Sequence, residues 1–337
     1  MHLHKDVNIF DIAKIANVGT STVSRVINDH PNVSAKTREH VLNVIKEHGY
    51  IPNNSARNLS ATSSNAIVVI VSGVNNPLFA RMLFIIQTIL AKNQYSMILH
   101  NHILGVDEDI MDISLSLYKE KRPKGILFLG GYFDENHQKL GLLEVPVVMA
   151  TATIHAECDR SLFSSFTIDD EREAFRVANS IINSGHKRIG MIGNIELRAN
   201  GFNKALQAHG LSAETISIDN EVAFSYESGY VAAKKLLESG SYSCIFCHSD
   251  ILAIGAMKAI HEKGLRIPDD ISIIGFDGIE ASEYTNPTLA TVNQPSDEIA
   301  RRSVSALLNT IITEEHYGHL VLPAKFVNGE SFRALEE

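Results

Sequence analysis

Apolar residues recur along this chain in two rhythms, and the change between them falls near residue 65. Before that point the spacing is helical. Ile9, Ile12 and Ile15 repeat at three-residue intervals and share a helix face, with Asn8 and Asp11 placed to cap its start. The pattern breaks at Ala16-Asn17-Val18-Gly19, where Asn and Gly readily take turn dihedrals. A second helix is predicted from about Thr20 to Asn28, burying Val23, Val26 and Ile27 and turning Thr20, Ser21, Ser24 and Arg25 outward. A third runs from Ser34 to Gly49, with Val41, Leu42, Val44 and Ile45 closing a small core; Gly49 stops it and Pro52 blocks its continuation.

After the polar linker Ser60–Asn65 the rhythm becomes that of buried strands. Apolar, β-branched runs occupy Ile67–Val71, Met97–Leu99, Gly125–Leu129, Val145–Met149, Ile189–Ile192, Ile216–Ile218, Cys244–Cys247 and Ser272–Phe276. Helical stretches such as Ala80–Lys92, Glu171–Ser184, Tyr226–Glu238 and Ile251–Lys263 lie between them. This alternation predicts an α/β fold with doubly wound parallel sheets, and the number of strands predicts two similar subdomains.

Two short helices joined by a tight turn, with hydroxyls and an Arg opening the second, form a helix-turn-helix pattern. Those side chains suit base edges, and the helix N-terminus suits phosphate. Charge sharpens the picture. The chain of 337 residues carries a net charge of −9, yet residues 1–60 are at +2, leaving −11 on the remainder. An acidic body repels DNA, so nucleic acid is expected to touch only the N-terminal end. With 45% hydrophobic residues the chain can bury a large core, in two or three domains. The start Met1-His-Leu-His-Lys-Asp lacks a long apolar stretch, no run is long enough to span a bilayer, and three cysteines imply no disulfide framework; the expected compartment is the cytoplasm. Cys244-Ile-Phe-Cys247 has redox or metal spacing, but on a strand residues three apart face opposite sides, so buried structural cysteines are expected.

Asp11-Ile12-Ala13, Thr22-Val23-Ser24-Arg25-Val26, Val33-Ser34-Ala35-Lys36-Thr37-Arg38 and Tyr50-Ile51-Pro52-Asn53 follow one another within fifty residues, and together they resemble the signatures of LacI/GalR-family transcriptional repressors. The family's turn usually reads Ala-Gly-Val-Ser; here Gly19 replaces a Ser that would cap the second helix. The resemblance implies a DNA-binding domain over 1–60, with a hinge helix at about 53–60 that folds in the minor groove and uses Leu59 as an apolar wedge. Thr20, Ser21, Ser24, Arg25 and Asn28, joined by Asn53, Ala56 and Leu59, form the expected DNA-contacting set. It further implies a periplasmic-binding-protein-like core over 61–337 that binds an effector and dimerises, with an N-lobe of about 66–164 and 294–322 and a C-lobe of about 165–293 and 323–337. A homodimer would then grip a palindromic operator. The ending Leu335-Glu-Glu has no leucine heptad, so a dimer is expected rather than a coiled-coil tetramer.

Catalysis is not expected: the chain has no GxxxxGK[ST], HExxH, GxSxG or GxGxxG motif. Its fifteen histidines show no paired ligand spacing, so neither a metal nor a cofactor is expected, and most are read as solvated. Polar and aromatic residues do recur just past strand ends, where open α/β sheets bind ligands. Ser72 ends the first strand and Phe79 lies in the turn after it. Arg198 opens a helix, Phe224 precedes another, Ser249 follows a strand, Asp277 ends the strand ISIIGF, and Gln294 sits at a lobe crossover. In the family's pattern the positions matching Phe79, Arg198, Phe224, Ser249, Asp277 and Gln294 line the effector cleft. From the residues alone, composition favours core positions for Phe79 and Phe224, a helix cap is favoured for Asp250, and a surface ion pair is open to Arg198. Asp277, between two glycines, has little structural work in prospect. Carboxylate, guanidinium and amide groups flanked by rings suit a mono- or disaccharide, a galactoside or glucoside among them. A purine, or a phosphocarrier protein as corepressor, is the alternative. A sugar-binding transport receptor is disfavoured, because it would need an export signal and lack residues 8–59.

Overall fold

The computed structural model describes residues 7–27, 30–48, 50, 65–102, 109–133, 135–154, 159–218, 224–316 and 318–335. The expected contacts at Asn28, Asn53, Ala56 and Leu59, and the hinge at 53–60, lie outside these residues. The chain divides into two compact units, with the boundary between residues 63 and 64.

The first unit holds α1 (Ile9–Ile15), α2 (Thr20–Ile27) and α3 (Ala35–Glu47). Asn8 accepts from the Phe10 and Asp11 amides, while the Asp11 carboxylate accepts from the Asn8 N–H at 3.0 Å, a reciprocal cap that satisfies orphan donors at the helix start. Asn17 makes the bend with φ +50°. The Val18 N–H then returns to the Ala13 carbonyl and that of Asn17 to Lys14, closing the end of α1. Ile12, Ala13, Ala16, Val23, Val26, Val41 and Val44 form the core. Two expected core residues stand outside it: Ile15 and Leu42 are each 47% exposed. Ile12, Ala13 and Ala16 set the buried face of α1, and Ile15 lies roughly 110° round from its centre at 3.6 residues per turn.

The second unit is built on two six-stranded sheets. Its strands are β1 (Ala66–Ser72), β2 (Ser96–His102), β3 (Gly125–Leu129), β4 (Tyr132–Phe133), β5 (Val147–Ala150), β6 (Thr153–Ile154), β7 (Ser164–Thr167), β8 (Ile189–Ile192), β9 (Ala213–Ile216), β10 (Cys244–Cys247), β11 (Ser272–Asp277), β12 (Ala290–Asn293), β13 (His319–Val321) and β14 (Lys325–Val327). Its helices are α4 (Pro77–Lys92), α5 (Ile110–Lys121), α6 (Asp170–Asn183), α7 (Glu196–Ala208), α8 (Tyr226–Ser239), α9 (Asp250–Glu262) and α10 (Ser296–Thr313). The first sheet has the order β13-β7-β5-β3-β1-β2 and is parallel throughout; the second runs β14-β12-β11-β10-β8-β9 with only β14 antiparallel. Every residue of β1, β3, β10 and β11 is buried, as expected of parallel strands covered on both faces. The chain passes from first sheet to second after β7, so the crossing anticipated near residue 164 falls later, beyond Thr167. The strand expected at Ile216–Ile218 forms instead at Ala213–Ile216, and β7, β12, β13 and β14 join those recognised from sequence.

Helices α8 and α9 meet backbone to backbone. A Cβ on Gly229 would lie 2.2 Å from the Leu252 carbonyl oxygen, and one on Gly255 2.0 Å from that of Tyr226. Elsewhere His186 ties the C-terminal segment to the sheet: its Nδ1 is 3.0 Å from Ser243 Oγ, and its Nε2 donates to the Arg333 carbonyl at 2.9 Å. Burial lowers its pKa.

Gly255→Ala must push the two helices apart, and is expected to destabilise the protein by about 1–3 kcal/mol in denaturant unfolding, the usual cost of overpacking. An unchanged midpoint would show that the contact yields freely. Because folding disfavours the protonated form of His186, its contribution is present above the unfolded pKa of about 6.5 and is lost as pH falls below it. His186→Gln should therefore lose less stability than wild type between pH 7 and pH 5, by at most about 1.4 kcal/mol per pH unit. Parallel pH profiles for the two proteins would contradict this.

Candidate functional site

In a doubly wound sheet the crevice for ligands opens where consecutive connections leave in opposite directions. The strand orders place this point between β1 and β3 in the first sheet and between β8 and β10 in the second. At the first, Ser72 is buried with Oγ 3.2 Å from His102 Nδ1. Gly130 and Gly131 follow β3 with φ of +71° and +99°. A Cβ on Gly130 would lie 2.8 Å from the Phe79 ring, so the glycine makes room for that half-buried side chain. Phe79 is the third residue of α4 rather than part of the preceding turn.

The ends of the second sheet's strands carry a charged cluster. Asp277 closes β11 in a strained backbone conformation, φ +120°, and is buried. Its carboxylate accepts from Gln294 Nε2 at 2.8 Å, Arg198 at 3.2 Å and Asn76 Nδ2 at 3.2 Å. Arg198, also buried, pairs with Asp170 at 2.6 Å, donates to the His248 carbonyl, and lies 3.7 Å over the Phe276 ring. Burial works against its charge, but Asp170 and then Asp277 outweigh that and raise its pKa. Burial pushes the Asp277 carboxyl up, and Arg198, Asn76 and Gln294 draw it only part of the way back.

Arg198, Asp277 and Gln294 are thus brought together. No described contact joins Ser72, Phe79, Phe224 or Ser249 to them. Phe224 is half-buried against the second sheet's apolar core. Ser249 is the N-cap of α9, its Oγ accepting from the Leu252 N–H at 3.4 Å. The cap was expected at Asp250, which instead is the first helical residue; its carboxylate accepts from the Ile279 N–H at 2.8 Å and the Thr291 hydroxyl at 2.5 Å. Burial, then the charge of Asp277, pushes Asp250 well above the ordinary carboxylate range. Arg198 belongs to a buried network rather than a surface pair, and Asp277, with three donors, has substantial structural work. Sequence reasoning passed over Asn76, Asp170 and His248. Asn76 carried a signal in Asn75-Asn76-Pro77, a helix start; its Oδ1 caps α4 while its Nδ2 reaches Asp277. His186 and His248 are buried rather than solvated.

An open cleft of about 880 Å³ adjoins the cluster. Pro77, Leu78 and Arg81 line one side, the loop Gly278–Ala281 with Tyr284 another, and the crossover from Asn293 to Glu298 the floor. Of the candidate residues only Gln294 lines it, since Arg198 and Asp277 are buried behind. The volume is within the range of small-molecule sites, about 300–1,000 Å³.

In the first unit, Ser21 and Arg25 are exposed and Thr20 and Ser24 half-buried, all on α2. Gly19 begins that helix with its carbonyl alone, accepting from Thr22 and Val23. Cys244 and Cys247 are buried on opposite faces of β10, in separate apolar clusters, and burial pushes both thiols up. Among the described residues no group of three or more metal-ligating side chains occurs, and no helix is long and apolar enough to cross a membrane.

Comparison with known proteins assembles these parts. Residues 8–53 match the family described as bacterial regulatory proteins, lacI family, and residues 178–332 a periplasmic binding protein-like domain. The HTH-type transcriptional regulator MalR of Clostridium butyricum is 39% identical, over 96% of this chain and 99% of its own. Among solved structures, the lac repressor dimer bound to operator and the anti-inducer ONPF is similar with a TM-score of 0.72 at 25% identity, covering 97% of this chain and 99% of that one. The transcriptional regulator CelR in complex with cellobiose is similar with a TM-score of 0.68 at 26% identity, covering 96% and 99%. The helix-turn-helix unit, the paired doubly wound sheets and these full-length relatives lead to one conclusion: the chain belongs to the LacI family of DNA-binding transcriptional regulators, which are not enzymes.

Proposed function

We propose that this protein is a cytoplasmic repressor that binds a palindromic operator as a homodimer and changes its grip when a mono- or disaccharide enters between the two sheets of its second unit. The observation that carries the ligand half is the buried set Arg198, Asp277 and Gln294, gathered at strand ends beside an open cleft. A carboxylate and a guanidinium can each take paired hydroxyls of a sugar. The lac repressor dimer on its operator supports the dimeric, DNA-bound arrangement, and the cellobiose complex of CelR supports a carbohydrate.

On this reading Thr20, Ser21, Ser24 and Arg25 meet base edges and phosphate in the major groove. Ligand acts through the interlobe hydrogen bond from Asn76 to Asp277, because a sugar that engages Asp277 competes with the amide that caps α4. Typical couplings between two such sites are about 1–3 kcal/mol.

An electrophoretic mobility titration against mono- and disaccharides tests the function: one sugar should release operator, and indifference to the whole panel would remove the sugar reading. Arg25→Ala should weaken operator binding by about 1–3 kcal/mol, as expected for a lost base contact, with sugar affinity unchanged. Asp277→Asn should weaken sugar binding, which calorimetry resolves. Unaltered operator affinity in Arg25→Ala would misplace the recognition surface.

A further inference from the structure

His248 directly follows β10 and is fully buried. Its ring bridges the switch point of the second sheet: the Ile195 N–H, just past the end of β8, donates to His248 Nδ1 at 3.0 Å. A backbone amide can only donate, so Nδ1 is the bare nitrogen and the ring proton sits on Nε2. Nε2 is one of two buried side-chain polar atoms without a hydrogen-bond partner among the described residues; the other, Ser303 Oγ, is on α10. The ring's place is prepared. Gly193 has φ +142°, and a Cβ there would come 2.3 Å from the imidazole, so only glycine leaves the space. The neighbouring Phe246 ring packs at 5.5 Å. Burial, then the Arg198 charge, lowers the His248 pKa to about 3, so the ring stays neutral.

A buried donor is ordinarily satisfied, and one left open where α/β sheets take their ligands calls for an acceptor. The charges around it define that acceptor. Arg198 is already paired with Asp170 and Asp277, so within this cluster carboxyl groups outnumber the single cation. An anion would add to that excess. An uncharged oxygen would not.

We propose that His248 Nε2–H is a specificity-determining donor of the effector site, taking a neutral hydroxyl or ring oxygen of a sugar at the second sheet's switch point. This rests on the reading that a sugar binds between the two sheets.

The test is calorimetry on the full-length protein with a panel of ribose, glucose, galactose, cellobiose and lactose, comparing wild type with His248→Phe, His248→Gln and Asp277→Asn. For whichever panel sugar binds, affinity should fall about tenfold or more in His248→Phe, which keeps a ring but no donor, and recover in part in His248→Gln, which restores an N–H. If His248→Phe binds that sugar like wild type while Asp277→Asn loses it, His248 is not a contact although the cleft reading stands. If both variants bind like wild type, or no panel sugar binds, the cleft reading and this proposal fail together. Long-range proton–nitrogen spectra of the wild type give an independent readout: His248 should show the Nε2–H tautomer from pH 5 to pH 8, shifting on sugar addition. An Nδ1–H or doubly protonated ring would overturn the assignment.

Discussion

A guanidinium taken out of water keeps its charge, because no accessible pH removes its proton. Arg198 is buried in that way, and much of the second sheet's carboxyl end is organised around it. Asp170 at the start of α6, Asp277 at the end of β11, the carbonyl after β10 and the face of Phe276 each satisfy part of it. These groups come from three separate elements, α6, β11 and the end of β10, so pairing Arg198 fixes where they end relative to one another. A buried pair of this kind need not stabilise the fold over an apolar substitute, but breaking one partner leaves an uncompensated charge at a cost of about 3–5 kcal/mol. That asymmetry suits a site, which must be held in one geometry more than it must be stable.

The same cluster reaches across to the other sheet. Asn76 uses its carbonyl oxygen to cap α4 and its amide nitrogen to bond Asp277, so one short side chain belongs both to a helix start beside the first sheet and to the carboxylate of the second. On the proposed reading a ligand's hydroxyl and the Asn76 amide compete for the same oxygens. Occupancy is thereby felt at the beginning of a sixteen-residue helix. An apolar contact surface would slip gradually under the same perturbation; a hydrogen bond with one acceptor is made or unmade.

Much of this was legible in the chain. Period-three spacing gave the three N-terminal helices, and continuous β-branched runs gave the buried central strands, because a parallel strand covered on both faces has no polar side to confuse it. The peripheral strands were not legible. Ser164–Thr167, His319–Val321 and Lys325–Val327 are three or four residues long and partly polar, and their identity comes from neighbours rather than composition. Ile15 and Leu42 mislead for a related reason: on a short helix, which stripe is buried is decided by the partner. At the site, Asp277, Arg198 and Gln294 could be placed by family pattern and strand-end position. Asp170 and His248 could not, since each acts through a long-range pairing that leaves no local mark; at Asn76 the sequence marks the helix cap but not the bond to Asp277. Ser249 and Asp250 show the limit most plainly. Adjacent polar residues at a helix start both suit a cap, and only the position of Ile279 and Thr291 decides which carboxylate or hydroxyl turns inward.

On the proposed reading, a small molecule at the Arg198–Asp277 cluster and operator DNA at the first unit are thermodynamically linked. Coupling of binding free energies is reciprocal, so the most direct measurement is the affinity of the releasing sugar with and without saturating operator. Sugar should bind the operator complex more weakly, by the same factor, about 5–150-fold, by which that sugar weakens operator binding. Equal sugar affinity in the two states would contradict it.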